Sequence, residues 1–291
     1  MDRSLYDRLG RLKLAIDKKS NASMIGSRKS TRKGSSAEFS DFREYMPGDD
    51  IRGIDWNAYA RLDRLYIKEY MEEKESHVSI FMDTSSSMDY GENSKFTLMT
   101  ELAAGLSYIS LVNMDHVTLY DMAETGRPYS ASGGKAGIKN LTTVLERKKA
   151  EGSVDIYKAV RRADHMYPGL TIICSDFLSE EFLPGNDTFA ELLKYLAYMK
   201  QKVAILHIMA EEELDIKLQG TCNLIDMEDG ENRIKVTMDD ASIREYNRNR
   251  DEFLEAFRKT ARRFGAAYFL CNTRDSFDKI IFEQLRPLYE W

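Results

Sequence analysis

Cysteine and proline are scarce in this sequence, and long apolar runs are missing. Among 291 residues there are 3 Cys and 5 Pro. The cysteines, Cys174, Cys222 and Cys271, are odd in number and lack CxxC spacing, which argues against a disulfide framework or a zinc site. No apolar run approaches the roughly 18 to 20 residues of a membrane-spanning helix. Residues 1–19 alternate charge with Leu and lack the apolar block of a signal peptide. We therefore expect a cytoplasmic protein.

Motifs of the common enzyme classes are also missing. The sequence contains no G-x-S-x-G elbow, no P-loop, no H-E-x-x-H and no G-x-G-x-x-G after an apolar strand. The loop that begins at Asp83 lacks the second Asp of a phosphatase-like D-x-D motif. These absences favour a non-catalytic protein. The alternative is a metal-dependent hydrolase that uses the Asp83 loop.

The charge is distributed unevenly along the chain. Residues 1–33 carry ten Lys/Arg against three Asp/Glu, or +7, so the net charge of -6 leaves -13 on the other 258 residues. A basic leader could contact nucleic acid. Residues 27–36 have no aromatic side chain for base stacking, however, and the acidic remainder repels phosphate. A solvated arm is therefore favoured over nucleic-acid binding.

Apolar periodicity predicts the fold class. Residues 4–19 have the spacing of an amphipathic helix, and residues 38–75 read as short strands and turns. From residue 77 apolar strands alternate with helices, which indicates a mostly parallel sheet covered on both faces. We expect a doubly wound α/β domain over 76–291 and a small N-terminal β-rich subdomain within 1–75. Predicted strands cover 78–82, 116–122, 170–174, 203–209 and 267–271, with a hairpin of 222–227 and 233–238; predicted helices cover 95–112, 138–149, 156–166, 189–200 and 242–264, with a last helix from 276.

A hydroxyl-rich loop follows the first strand of this sheet. Asp83, Ser85 and Ser87 place one carboxylate and two hydroxyls at the strand end. Oxygen donors in a tight loop suit Mg²⁺ or Mn²⁺, and a metal held by one carboxylate can accept another from a second protein. Asp176, after a later strand, could accept a hydrogen bond from metal-bound water. The alternative is an Asp/Ser helix cap without metal.

A second charged segment lies upstream. Arg43, Asp49, Arg52, Asp55 and Arg61 alternate in sign among aromatic residues that we expect to be buried. A partly buried ion-pair network that fastens this segment to the sheet domain is the favoured interpretation. The alternative is a recognition surface for a partner or a peptide carboxylate.

Two motifs carry a family resemblance. The D-x-S-x-S sequence from Asp83 to Ser87 resembles the metal-ion-dependent adhesion site of von Willebrand factor A domains. The stretch YMPGDDIRGIDW, from Tyr45 to Trp56, with Ala60-Arg61 after it, resembles the signature of the domain of unknown function 58 family. The signature residues, for which we expect a structural role, are Arg43, Gly48, Asp49, Asp50, Arg52, Asp55, Trp56 and Arg61.

The resemblance implies a central parallel sheet with a divalent-metal crevice. It also implies an association with MoxR-type AAA+ ATPases, which are often encoded beside the family, and a role in complex assembly or protein maturation. One position departs from the adhesion-site pattern, in which a Thr from a second loop completes the metal shell. The equivalent loop here is Gly152-Ser153-Val154-Asp155, and Val154 has no oxygen to donate. Ser153 or Asp155 would have to substitute.

Overall fold

The computed structural model describes residues 3–16, 38–71, 76–91, 93–123, 127–163, 166–216, 220–225 and 233–289. The chain forms two compact units, one of residues 18–75 and one of residues 1–17 with 76–291. The strands are β1 (Glu38–Glu44), β2 (Tyr66–Met71), β3 (His77–Met82), β4 (His116–Asp121), β5 (Tyr129–Ala131), β6 (Gly169–Ser175), β7 (Gln201–Met209), β8 (Gly220–Ile225), β9 (Arg233–Met238) and β10 (Ala267–Asn272). The helices are α1 (Arg3–Leu9), α2 (Trp56–Leu62), α3 (Lys95–Val112), α4 (Lys135–Leu145), α5 (Ile156–Arg162), α6 (Thr188–Tyr198), α7 (Glu211–Leu214), α8 (Asp240–Arg263) and α9 (Phe277–Lys279).

The larger unit is built on a six-stranded sheet with the order β10-β7-β6-β3-β4-β5. All neighbours pair in parallel except β4 and β5, which pair antiparallel at one edge. Along the chain, the six strands of this sheet are β3, β4, β5, β6, β7 and β10, which we number 1 to 6. Read from the β5 edge, their order in the sheet is 3-2-1-4-5-6, the order of a doubly wound fold. The order reverses between β3 and β6, and a crevice opens at the carboxyl ends of such a strand pair. The predicted fold class is confirmed.

Strand side chains alternate between two apolar clusters because successive residues point to opposite faces of a sheet. On β3, Val78, Ile80 and Met82 belong to the cluster that α3 and α4 cover, whereas Phe81 belongs to the cluster that α5, α6 and α8 cover. Both faces are therefore buried, which explains why these strands read as nearly continuous apolar runs.

Helix α3 begins beside the crevice, at Lys95. Its residues Met99, Leu102 and Leu106 lie at the spacing of one helical stripe and are fully buried against the sheet. The packing of this stripe fixes the helix axis, and with it the first residue, Lys95. No helix in the described ranges combines the length and apolar character required to cross a bilayer.

The N-terminal segment departs from its predicted structure and from its assignment to an N-terminal subdomain. The helix ends at Leu9 instead of reaching residue 19, and Leu14 forms a bridge with Tyr289. Leu9, Leu14 and Ile16 enter the core of the larger unit. Leu9 thus enters the core from the helix, whereas Leu14 and Ile16 enter it from the chain that follows the helix. Residues 17–19, and residues 226–232 of the predicted hairpin, lie outside the described residues.

The smaller unit contains the antiparallel pair β1 and β2 with α2 between them. The strands and turns expected over residues 38–75 are present, whereas α2 was not expected. Asp55 explains α2, since its carboxylate accepts hydrogen bonds from the amides of Asn57 (2.9 Å) and Ala58 (3.3 Å) and caps the helix. Asp63 ends the helix in the left-handed conformation.

Candidate functional site

The candidate site lies where the strand order reverses. β3 runs into Asp83 and β6 runs into Asp176, and these two strands are neighbours in the sheet. The amide of Asp83 donates to the carbonyl of Cys174 at 3.0 Å, so the pairing of the two strands extends to the first residue of the loop. The structure therefore brings the two predicted carboxylates to one crevice.

The Asp83 carboxylate is surrounded by hydroxyl groups. Its Oδ1 accepts from the amide (3.0 Å) and the hydroxyl (2.6 Å) of Ser85, and its Oδ2 accepts from the hydroxyl of Ser175 at 2.5 Å. The hydroxyls of Ser85 and Ser87 lie 3.0 Å apart. Burial raises the pKa of Asp83, and the negative charge of Asp176 raises it further. A cation at this loop would relieve the cost of that buried charge.

The spacing of these oxygen atoms can be compared with that of the ligands of a small divalent cation. With Mg²⁺–oxygen bonds of about 2.1 Å, adjacent ligands of an octahedron lie about 3.0 Å apart. The distance from Ser85 Oγ to Ser87 Oγ (3.0 Å) matches that edge length, whereas the distance from Ser85 Oγ to Asp83 Oδ1 (2.6 Å) is that of a hydrogen bond, which a bound metal would have to lengthen. Only one of the three donors is charged, and the described residues contain no group of three or more His, Cys, Asp or Glu that could hold a metal. The donor set suits a weakly bound, partly hydrated ion.

Asp176 is held by a buried lysine that the sequence analysis missed. Lys95 Nζ donates to Asp176 Oδ2 and to Glu213 Oε1, both at 2.6 Å, and these side chains are 1%, 4% and 13% exposed. Burial disfavours the charged ammonium, but the two carboxylates outweigh it, so the pKa of Lys95 is raised. Asp176 Oδ1 accepts from the amide of Leu178 at 3.1 Å. The carboxylate predicted to accept from metal-bound water thus already has two partners.

The second predicted loop lies against the Asp83 loop through backbone bonds. The amide of Glu151 donates to Thr84 O (2.7 Å), and that of Ser86 donates to Gly152 O (2.8 Å). Ser153 is exposed, and the methyl groups of Val154 pack against the apolar cluster under α5. Asp155 is occupied as the cap of α5, where it accepts from the amide of Lys158 at 2.8 Å. The loop is in place, but Val154 contributes to packing and supplies no donor oxygen.

The signature segment is organised locally by turns and caps. Gly48 has a φ of +108°, a value that favours glycine, and the next residue, Asp49, forms an ion pair with Arg43 at 2.9 Å. The Arg43 guanidinium lowers the pKa of Asp49 through its hydrogen bond. Asp50 caps the short 3-10 turn that follows, as Asp55 caps α2. These carboxylates therefore set backbone geometry within the smaller unit.

The expectation that the aromatic residues of this segment are buried is wrong. Trp56 is 63% exposed, Tyr59 is 41% exposed, and α2 has no buried residue. Arg52 and Arg61 are exposed as well. Capping by Asp55 holds α2 without an apolar face to bury, so the aromatic side chains of this helix stay exposed.

These features define a doubly wound α/β protein with a hydroxyl-rich site at the point where its strand order reverses. The chain belongs to the family described as "Protein of unknown function DUF58", which matches residues 41–254. The predicted family membership is confirmed.

Similar proteins include the uncharacterized proteins Rv1480 of Mycobacterium tuberculosis and Mb1516 of Mycobacterium bovis. Each is 23% identical over 79% of this chain and 73% of its own length. Among solved structures, the conserved hypothetical protein BatB from Bacteroides thetaiotaomicron is similar at 14% identity over 73% of this chain and 98% of its own, with a TM-score of 0.43. A von Willebrand factor type A structure from Catenulispora acidiphila is similar at 14% identity over 62% of this chain and 43% of its own, with a TM-score of 0.39.

Proposed function

We propose that this chain is a non-catalytic protein-interaction module whose crevice binds Mg²⁺ or Mn²⁺ and, through that ion, a carboxylate of a partner protein. The observation that carries the proposal is the oxygen cluster of Asp83, Ser85 and Ser87 at the strand reversal. One carboxylate leaves a divalent ion with net positive charge and open positions, which a second protein can fill.

A single carboxylate gives orientation but little contact area, so the surrounding loops must add affinity. Leu178 and Leu183 are suited to this because they are 49% and 50% exposed. The amide of Leu178 bonds to Asp176, which places this residue next to the crevice. A partner that docks on the ion would bury these side chains and gain apolar contact area.

The family resemblance makes a MoxR-type AAA+ ATPase the leading partner. In this proposal the protein acts in the cytoplasm as an adaptor between the ATPase and a client during complex assembly or maturation. The proposal predicts that the interaction depends on the divalent ion and on Asp83.

The test is recovery of the ATPase with the tagged protein from a native lysate. We expect recovery in Mg²⁺, loss in EDTA, and loss with Asp83→Asn in either condition. Asp240→Asn is the matched control, since it makes the same chemical change at an exposed position of α8. Equal recovery under all conditions would show that the crevice is not the docking site, and no recovery of an ATPase from any lysate would remove the adaptor role.

A further inference from the structure

A separate cavity of about 360 Å³ lies at the carboxyl end of β4. Phe81, Tyr120 and Met122 line it from the sheet, and Ala159 and Ala163 line it from the α5 side. Its volume is at the lower end of the range of small-molecule sites, roughly 300 to 1,000 Å³. None of the three proposed metal donors lines it.

Basic side chains dominate the polar lining of this cavity. Arg127, Lys148 and Arg162 face a single carboxylate, Asp121, so the lining carries a formal charge of 3 - 1 = +2. Lys148 forms an ion pair with Asp121 at 2.7 Å, which leaves the positive charge of the two arginines in excess. This excess stands out in a protein whose residues after position 33 sum to -13. A local positive field of this kind concentrates anions.

The two arginines retain hydrogen-bond donors. A guanidinium has five N–H donors, and one nitrogen of Arg162 donates to the carbonyl of Met122 at 3.3 Å. Arg127 forms no ion pair within the described ranges. Arginine pairs with carboxylate and phosphate groups in a bidentate geometry that lysine cannot match. The donors therefore fit a planar or tetrahedral oxyanion.

The rest of the lining is apolar and aromatic. The rings of Phe81 and Tyr120 stack with their centroids 4.3 Å apart and an interplanar angle of 7°. Pro128 and Tyr129, at the start of β5, also line the cavity. A ligand that is only a small inorganic ion would leave this surface unused, whereas an aromatic or apolar body would pack on it.

We propose that this cavity binds a small organic anion, with its phosphate or carboxylate group held by Arg127 and Arg162 and its apolar or aromatic body against the lining at Tyr120. Asp121, which lines the cavity, is also bonded to the Asp83 loop, because Thr84 Oγ1 donates to Asp121 Oδ1 at 2.5 Å. The proposal is independent of metal binding at Asp83.

The test is calorimetric titration of the full chain with phenyl phosphate, with benzoate, and with neutral benzyl alcohol. We expect at least one anion to bind, to bind about tenfold or more tightly than benzyl alcohol, and to weaken as salt is raised. The stronger of the two anions identifies the phosphate or carboxylate class. No heat from either anion at about 10 mM would overturn the proposal.

Variants tie the binding to the cavity. Arg127→Ala and Arg162→Ala should each weaken anion binding by about tenfold, and Arg127→Ala should leave the melting temperature unchanged. Arg147→Ala is the matched control, because Arg147 is exposed, close in sequence to Lys148 and absent from the lining. Equal affinity in the wild type and both cavity variants, or equal loss in the control, would contradict the assigned site.

Discussion

Replacement of Lys95 by Met should strongly destabilise the larger unit. Met fills a similar volume but removes the ammonium, which bonds to Asp176 and Glu213 at 2.6 Å each. Asp176 then keeps a buried charge, because its side chain is only 4% exposed. Removal of one partner of a buried pair costs about 3–5 kcal/mol. For a domain of this size that corresponds to a melting temperature lower by roughly 10 °C.

Urea unfolding at pH 7, followed by circular dichroism, measures this loss. Because the folded-state pKa of Lys95 lies above its ordinary value of 10.5, the contribution is complete at neutral pH and is lost only as the pH rises from 10.5 through the folded value. The double variant Lys95→Met/Asp176→Asn should recover part of the stability, since it also removes the unpaired charge. Lys194→Met, at an exposed position of α6, should change stability by less than about 0.5 kcal/mol. A loss below about 1 kcal/mol for Lys95→Met would refute the buried ion pairs.

Two further predictions concern other parts of the molecule. Burial lowers the pKa of His207 to about 4, so the unfolded chain takes up a proton before the folded protein does as the pH falls. About 3 kcal/mol of stability should therefore be lost between pH 6.5 and pH 4. His207→Gln should reduce this loss when the free energy of unfolding is measured over the same pH range. Trp56→Ala should change the free energy of unfolding by less than about 0.5 kcal/mol, because the side chain is 63% exposed, and a several-fold loss of partner recovery would favour the alternative of a recognition surface in the signature segment. Tyr198→Ala, at an 82% exposed aromatic residue of α6, should leave recovery unchanged, and equal recovery with Trp56→Ala would assign no binding role to α2.

The sheet and the position of Asp83 follow from local sequence patterns. Strands buried on both faces are apolar runs, and such a run ends at Asp83 as another ends before Asp176. The polar residues that follow mark the carboxyl ends, and parallel pairing brings those ends together. The five parallel strands of the main sheet and their crevice were therefore predictable from the chain alone.

The ion pairs of Lys95 could not be predicted from local sequence patterns. Its partners Asp176 and Glu213 are 81 and 118 residues away, and its position beside Phe96 in an apolar helix gives no local sign of an ion pair. Long-range electrostatic pairs depend on how helices dock, which periodicity does not encode. Strand β5 was also missed, since three residues are too few for an alternating pattern.

The most direct test of a cation site at Asp83 is the change in melting temperature of the wild-type protein when Mg²⁺ is added. For a site with a dissociation constant of about 1 mM, about 10 mM Mg²⁺ stabilises the folded state by about 1.4 kcal/mol and raises the melting temperature by roughly 3–5 °C. Asp83→Asn removes a charge that burial disfavours, so it should fold without metal but lose the response, whereas Asp240→Asn, at an exposed position of α8, should keep it. No rise for the wild type, or an equal rise in Asp83→Asn, would contradict a cation site at Asp83.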